Sequence, residues 1–123
     1  MKNTFYSSFL FIFNIIFCLL YQKYAYCYYF FLLFYTSIIY HYYSNIYTYF
    51  IDQLSVLLII LYGTKSFIDK YKNNFIIYNS LIILCFILTI CIYIYNSFNN
   101  NCDIYHIYIH IITTIGHSLI IMS

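Results

Sequence analysis

At 123 residues, with 65% hydrophobic and only 7% charged side chains, the chain is excluded from the water-soluble globular class, where about a quarter of residues are charged. The length holds one domain rather than two, and no soluble fold of that size hides so much apolar surface. A formal charge of +2 from five lysines, with no sustained basic stripe, offers no footing for a nucleic-acid partner.

Only helices and closed barrels satisfy their backbone hydrogen bonds in lipid. The apolar runs here are too long and continuous for barrel strands, which alternate. The fold class is therefore all-α: a multi-pass transmembrane helical bundle of about five spans in one domain. In chain order the spans run from about Thr4 to Tyr21, Tyr24 to Tyr43, Asn45 to Tyr62, Phe75 to Tyr95 and Ile104 to Met122. The first follows Lys2 in the manner of a signal peptide, but it is long for that role and no small-x-small cleavage site follows, so a retained helix is expected. The second and third are parted only by a tight turn near Ser44-Asn45. The third is expected to stop at Gly63-Thr64-Lys65, with Lys65 to Asn74 as a solvated loop. Lys23, Lys65, Lys70 and Lys72 fall in the loops after spans one and three. The positive-inside rule then puts those loops and the C-terminus in the cytoplasm, with the N-terminus lumenal or extracellular.

Nineteen tyrosines and thirteen phenylalanines, beside no Pro or Trp and no Arg or Glu, reflect an AT-rich coding bias. They read as interfacial anchors more than as chemistry. The cysteines form no disulfide framework. Cys18, Cys27, Cys85 and Cys91 lie in apolar runs as small hydrophobes, and Cys102 sits in a polar loop.

The ionisable residues within the spans carry the functional signal, because charge in lipid demands a reason. His41 ends span two, Asp52 lies about 10 Å into span three, and His106 and His110 begin span five. All four approach one membrane face. Ser37 and His41 share a helix face, as do His106, His110 and His117. Three imidazoles with an open position suit a catalytic zinc ion, and Asp52 suits its general base. His117, about 10 Å along the helix from His110, is too far to join the same ion and is expected to bond a Thr or Ser hydroxyl on a neighbouring helix. Cys102, four positions before His106, offers a soft fourth ligand. The bland alternatives are interfacial histidines and a structural, hydrogen-bonded Asp52.

Ser37-x3-His41, an aspartate eleven positions later, and His106-x3-His110 in the last span together resemble the CREST superfamily of membrane hydrolases. That group includes the alkaline ceramidases, the progestin and adipoQ receptors and the hemolysin III-like proteins. The segment from Thr36 to His41 and its interval to Asp52 look most like the alkaline ceramidase branch. The resemblance covers about Ser37 to Gly63 and Cys102 to His117. It implies that His41, His106 and His110 are zinc ligands, and that Asp52 and Ser37 position the activated water. It also implies that the substrate is a membrane-lipid amide or ester reaching the site sideways. The superfamily has seven spans, so two helices would be missing between Asp52 and His106. That preserves the direction of the last span but removes cavity wall, which dimerisation would have to supply. Three rivals remain: a non-catalytic membrane protein with a vestigial or structural metal site, a haem protein using His41 and His110 as axial ligands, and a pore former. The pore former is the weakest, because no span repeats a polar stripe.

Overall fold

A computed structural model describes residues 2–99 and 103–123, and among them every regular element is helical. The elements are α1 (Lys2–Ser7), a 3-10 turn (Ser8–Leu10), α2 (Phe11–Leu20), α3 (Tyr24–Tyr43), α4 (Ile46–Lys70), α5 (Ile76–Phe98) and α6 (Asp103–Met122). Three helices are long and apolar enough to cross a membrane: α4, α5 and the 104–122 portion of α6. The described residues are thus all-helical and consistent with an integral membrane protein. The Thr4–Leu20 stretch is apolar but shorter, and α3 is as long as α6 but rich in tyrosine.

The first apolar run is not the unbroken helix expected from its composition. Ser7 and Ser8 both turn their hydroxyls back onto the Thr4 carbonyl, at 2.9 and 3.0 Å. Such back-bonding competes with the helical ladder, and the chain tightens into the 3-10 turn between α1 and α2. After α2, Gln22 adopts a left-handed φ of 57°. Lys23 N–H reaches the Cys18 carbonyl at 2.8 Å and Gln22 N–H the Leu19 carbonyl at 3.3 Å, a Schellman ending that reverses the chain into α3.

The reversal from α3 into α4 is set by Asn45. Its side chain accepts from Thr48 N–H at 3.0 Å, while Thr48 Oγ1 accepts from Asn45 N–H at 3.1 Å, a reciprocal cap that satisfies two helix-end donors. Beyond it α4 does not stop at Gly63 as expected, but continues to Lys70. Gly63 is buried, and its missing side chain admits His117 and Tyr26 from neighbouring helices. The glycine marks a close approach rather than a helix end. Most of the segment expected as a solvated loop is therefore helix, and Lys70 Nζ donates to the Ile120 carbonyl at 2.8 Å. A lysine at the tip of α4 thereby caps the C-terminal end of α6.

The helices gather around α6. α6 packs against α5 on one side and against α1 and α2 on the other, α2 packs on α3, and α3 packs on α4. α4 also packs on α6, but no Cα of α4 lies within 8 Å of one in α5. The packed centre contains Phe11, Cys18, Tyr26, Phe30, Leu33, Ile59 and Ile121. Beside them lie many buried polar residues, including Asn14, Ser37, Asp52 and His110, while large apolar side chains on α4 and α5 point outward. Buried polar groups inside and apolar groups outside suit a bundle solvated by lipid. Asn14 shows how the interior is tied: its Nδ2 donates to the Thr114 carbonyl and Ser118 Oγ, both at 3.0 Å, joining α2 to α6.

Candidate metal centre and lateral cavity

Three histidines come together where the end of α3 meets the start of α6. The nitrogen ligand atoms of His41, His106 and His110 all lie within 4.8 Å of one another. Their ring centroids are 4.8 Å apart for His41–His106, 4.6 Å for His106–His110 and 5.6 Å for His41–His110. The one-turn spacing of His106 and His110 stacks them on a single face of α6, and His41 reaches across from α3. His41 and His110 are buried and His106 is partly buried. Among the described residues no other His, Cys, Asp or Glu joins them.

This donor set fits a metal ion. Zinc bonds imidazole nitrogens at about 2 Å and takes three protein ligands in catalytic sites, and a spacing of this size accommodates such an ion after side-chain rotation. The tautomer of His110 is also set for it. The Ser7 hydroxyl proton goes to the Thr4 carbonyl, so Ser7 Oγ, 2.6 Å from His110 Nδ1, acts there as the acceptor. Nδ1 then carries the imidazole proton, and the Nε2 lone pair is left for a ligand bond. Phe11 packs its ring 5.1 Å from that of His110 and holds it from the other side.

Ser37 and Asp52 stand beside the histidines along one cavity. Ser37 Oγ lies 2.8 Å from Ser8 Oγ. Because the Ser8 proton is directed to the Thr4 carbonyl, Ser37 donates to Ser8 and presents oxygen lone pairs to its other surroundings. Asp52 Oδ1 accepts from Thr36 Oγ1 at 3.3 Å. Asp52 Oδ2 has no protein hydrogen bond among the described residues, and Asp52 is part of the cavity wall.

The cavity measures about 660 Å³ and runs between α4, α5 and α6, reaching from His106, Asp52 and Ser37 at one end to Thr64, Phe67 and Ile120 at the other. Its wall is mostly Ile, Leu, Val and Phe. The cavity is partly open, and α4 and α5, which both line it, have no Cα within 8 Å of each other.

The chain matches no family model, no curated protein and no solved structure.

Of the residues expected from sequence, His41, His106 and His110 are brought together, and Ser37 and Asp52 line the adjoining cavity. Cys102 lies outside the described residues. His117 is separate from the triad, as its spacing implied, but its partner is not Thr or Ser. Its Nδ1 shares a short hydrogen bond with the Tyr26 hydroxyl, because α3 presents a tyrosine where α4 has only the bare backbone of Gly63. Sequence reasoning also missed Ser7, Ser8 and Thr36. The signal for the serines was available: in the expected five-span order, span one begins at the same face where span two ends and spans three and five begin.

The bond from Ser7 to His110 has a measurable consequence. Ser7→Ala is expected to weaken zinc binding about 10–100-fold, the usual effect of losing the partner that orients a ligating imidazole. Competition with a chromogenic chelator reads this directly, and Ser7→Thr is expected to retain most of the affinity.

Proposed function

We propose that this chain is a zinc-dependent intramembrane hydrolase of a lipid amide or ester, resembling the alkaline ceramidases in its site residues. The observation that carries the reading is the clustering of His41, His106 and His110 beside an apolar cavity that His106, His110, Ser37 and Asp52 line. In this reading the chain crosses the membrane about five times, with α1–α2 and α3 as the additional spans. The lysine-bearing ends lie in the cytoplasm and the N-terminus on the opposite side.

His41, His106 and His110 hold the zinc ion through ring nitrogens, with Ser7 fixing His110 in the required tautomer. When bound, zinc polarises a carbonyl and lowers the pKa of water. The residues do the remainder. Ser37, whose own proton is committed to Ser8, accepts a hydrogen bond from the attacking water and orients it. Its commitment favours this role over stabilising an oxyanion, which requires a donor. Asp52 Oδ2 takes the proton from that water and returns it to the leaving amine or alcohol, while Thr36 holds Oδ1 still. The apolar wall seats the lipid chains and keeps bulk water from the reacting carbonyl.

The test is turnover of a panel of ceramides and other lipid amides and esters by the detergent-purified full chain, before and after chelation. Hydrolysis that disappears with the metal and returns with added zinc is expected; hydrolysis that persists in metal-free protein overturns the proposal.

One observation favours a second reading. The gap between α4 and α5 falls where, by the resemblance, two spans are missing, so part of the wall that would enclose a substrate is absent from a single copy. A non-catalytic protein with a structural metal site accounts for that, as does a homo-oligomer whose second copy completes the wall. Bound zinc without hydrolysis of any lipid, in monomer and oligomer alike, selects the non-catalytic reading.

A further inference from the structure

We propose that His117, held by Tyr26, is a second ligand-recognition group in the cavity, which donates a hydrogen bond to an oxygen partway along the chain of a long-chain amphiphile. The proposal rests on reading the cavity as the seat of such a molecule, but not on any reaction there. His117 lies seven residues beyond His110 on α6, about 10 Å along the helix axis. It lines the same cavity and is only 9% exposed, an expensive place for a polar ring in an otherwise apolar wall.

The hydrogen bonding assigns its proton. Tyr26 is buried, and its hydroxyl makes no hydrogen bond among the described residues other than the one to His117 Nδ1. A phenol with a single partner gives its proton to that partner, so Nδ1 is the acceptor. A neutral imidazole carries one N–H, and here it is on Nε2. No protein acceptor for Nε2 exists among the described residues, and Nε2 is not among the polar atoms sealed from solvent. It therefore opens onto the cavity as an unmet donor.

The ring cannot turn away. Phe30 packs edge-on at a centroid distance of 5.0 Å, and Gly63 lies so close that even a methyl group there would strike His117 Cε1. Tyr26 is itself stacked on Phe30 at 5.1 Å and meets Tyr62 edge-on at 5.0 Å. A rigid donor in a dry pocket discriminates for a ligand oxygen, because a ligand without one leaves the donor unpaired. The triad binds the polar head, and His117 reads the chain about 10 Å further on.

Stearate and positional isomers of hydroxystearate serve as probes. Their affinities for the full-length protein in detergent are measured by displacement of a fluorescent fatty acid, with partition into empty micelles subtracted. The mid-chain hydroxy acid is expected to bind about fivefold to tenfold more tightly than stearate, the ratio given by one added hydrogen bond in a dry site. Isomers hydroxylated near the head or the chain terminus are expected to show no such gain. His117→Phe should bring the ratio to near one. Tyr26→Phe, which frees the tautomer while leaving the imidazole in place, should reduce it. His110→Ala should weaken both ligands by a similar factor and preserve the ratio, so loss of the metal or of hydrolysis is read separately from loss of chain recognition. Equal affinities in the wild-type protein, a preference that survives His117→Phe, or no binding of either acid overturns the proposal.

Discussion

On the proposed zinc-hydrolase reading, replacing His110 with alanine is expected to take the protein from about one zinc per chain to none and to reduce lipid hydrolysis to background. The reasoning is structural. Of the three proposed ligands, His110 is firmly held: it is buried, its tautomer is set by Ser7, and Phe11 packs on its ring. Its loss leaves two imidazoles, fewer than the three protein ligands of a catalytic zinc site. Asp52→Asn makes the informative contrast. The carboxylate stands apart from the three-histidine cluster, so the asparagine variant is expected to keep its zinc while hydrolysis falls about 10²–10⁴-fold, the usual worth of a general base. Elemental analysis and turnover on the same preparations separate the two effects. Zinc retained by His110→Ala would remove that residue from the metal site. Wild-type turnover in Asp52→Asn would remove Asp52 from the chemistry.

Gly63→Ala is expected to destabilise the bundle by about 1–3 kcal/mol, the range for overpacking a filled site. A Cβ at Gly63 would lie 2.7 Å from His117 Cε1 and 2.9 Å from the Tyr26 hydroxyl. Those two groups are bonded to each other, so neither can swing aside without breaking a buried hydrogen bond. Helix propensity acts the other way, favouring alanine by about 1 kcal/mol in an open helix. The two effects can be separated because they depend differently on His117. In a His117→Ala background the clash with the ring is gone, and Gly63→Ala should become neutral or stabilising. Unfolding of the four proteins in detergent completes the cycle. The same penalty in both backgrounds would show that Gly63 is not the floor beneath His117.

Much of this fold is legible because lipid leaves a chain few options. The bounds of α3 and the last helix follow from apolar length alone, and the phase of His106 and His110 follows from helical spacing. The proximity of His41 to them follows from counting which end of each span lies at which face. What is not legible depends on what stands opposite a residue. Gly63 followed by Thr64 and Lys65 looks like the end of a helix, yet it is the place where another helix's imidazole comes closest. Ser7 and Ser8 look like tolerable hydroxyls in an apolar run, because serine can satisfy itself on its own backbone. Both do so through Thr4, and that is what turns the Ser7 oxygen into an acceptor for His110 and the Ser8 oxygen into an acceptor for Ser37. Tyr26 is one tyrosine among nineteen, and nothing local distinguishes it until the ring of His117 is placed beside it.

The bond between Ser7 and His110 joins residues 103 positions apart, and Ser8 to Ser37 ties the same first turns to α3. During synthesis the beginning of the chain is available long before the histidines of α6 exist. The centre therefore cannot gather its ligands helix by helix as the protein enters the membrane; it comes into being only when α6 docks against α1 and α2. An ion captured there would tie α3 and α6 together beside α1, so its uptake would report that α6 has docked, and a chain truncated before α6 would carry none.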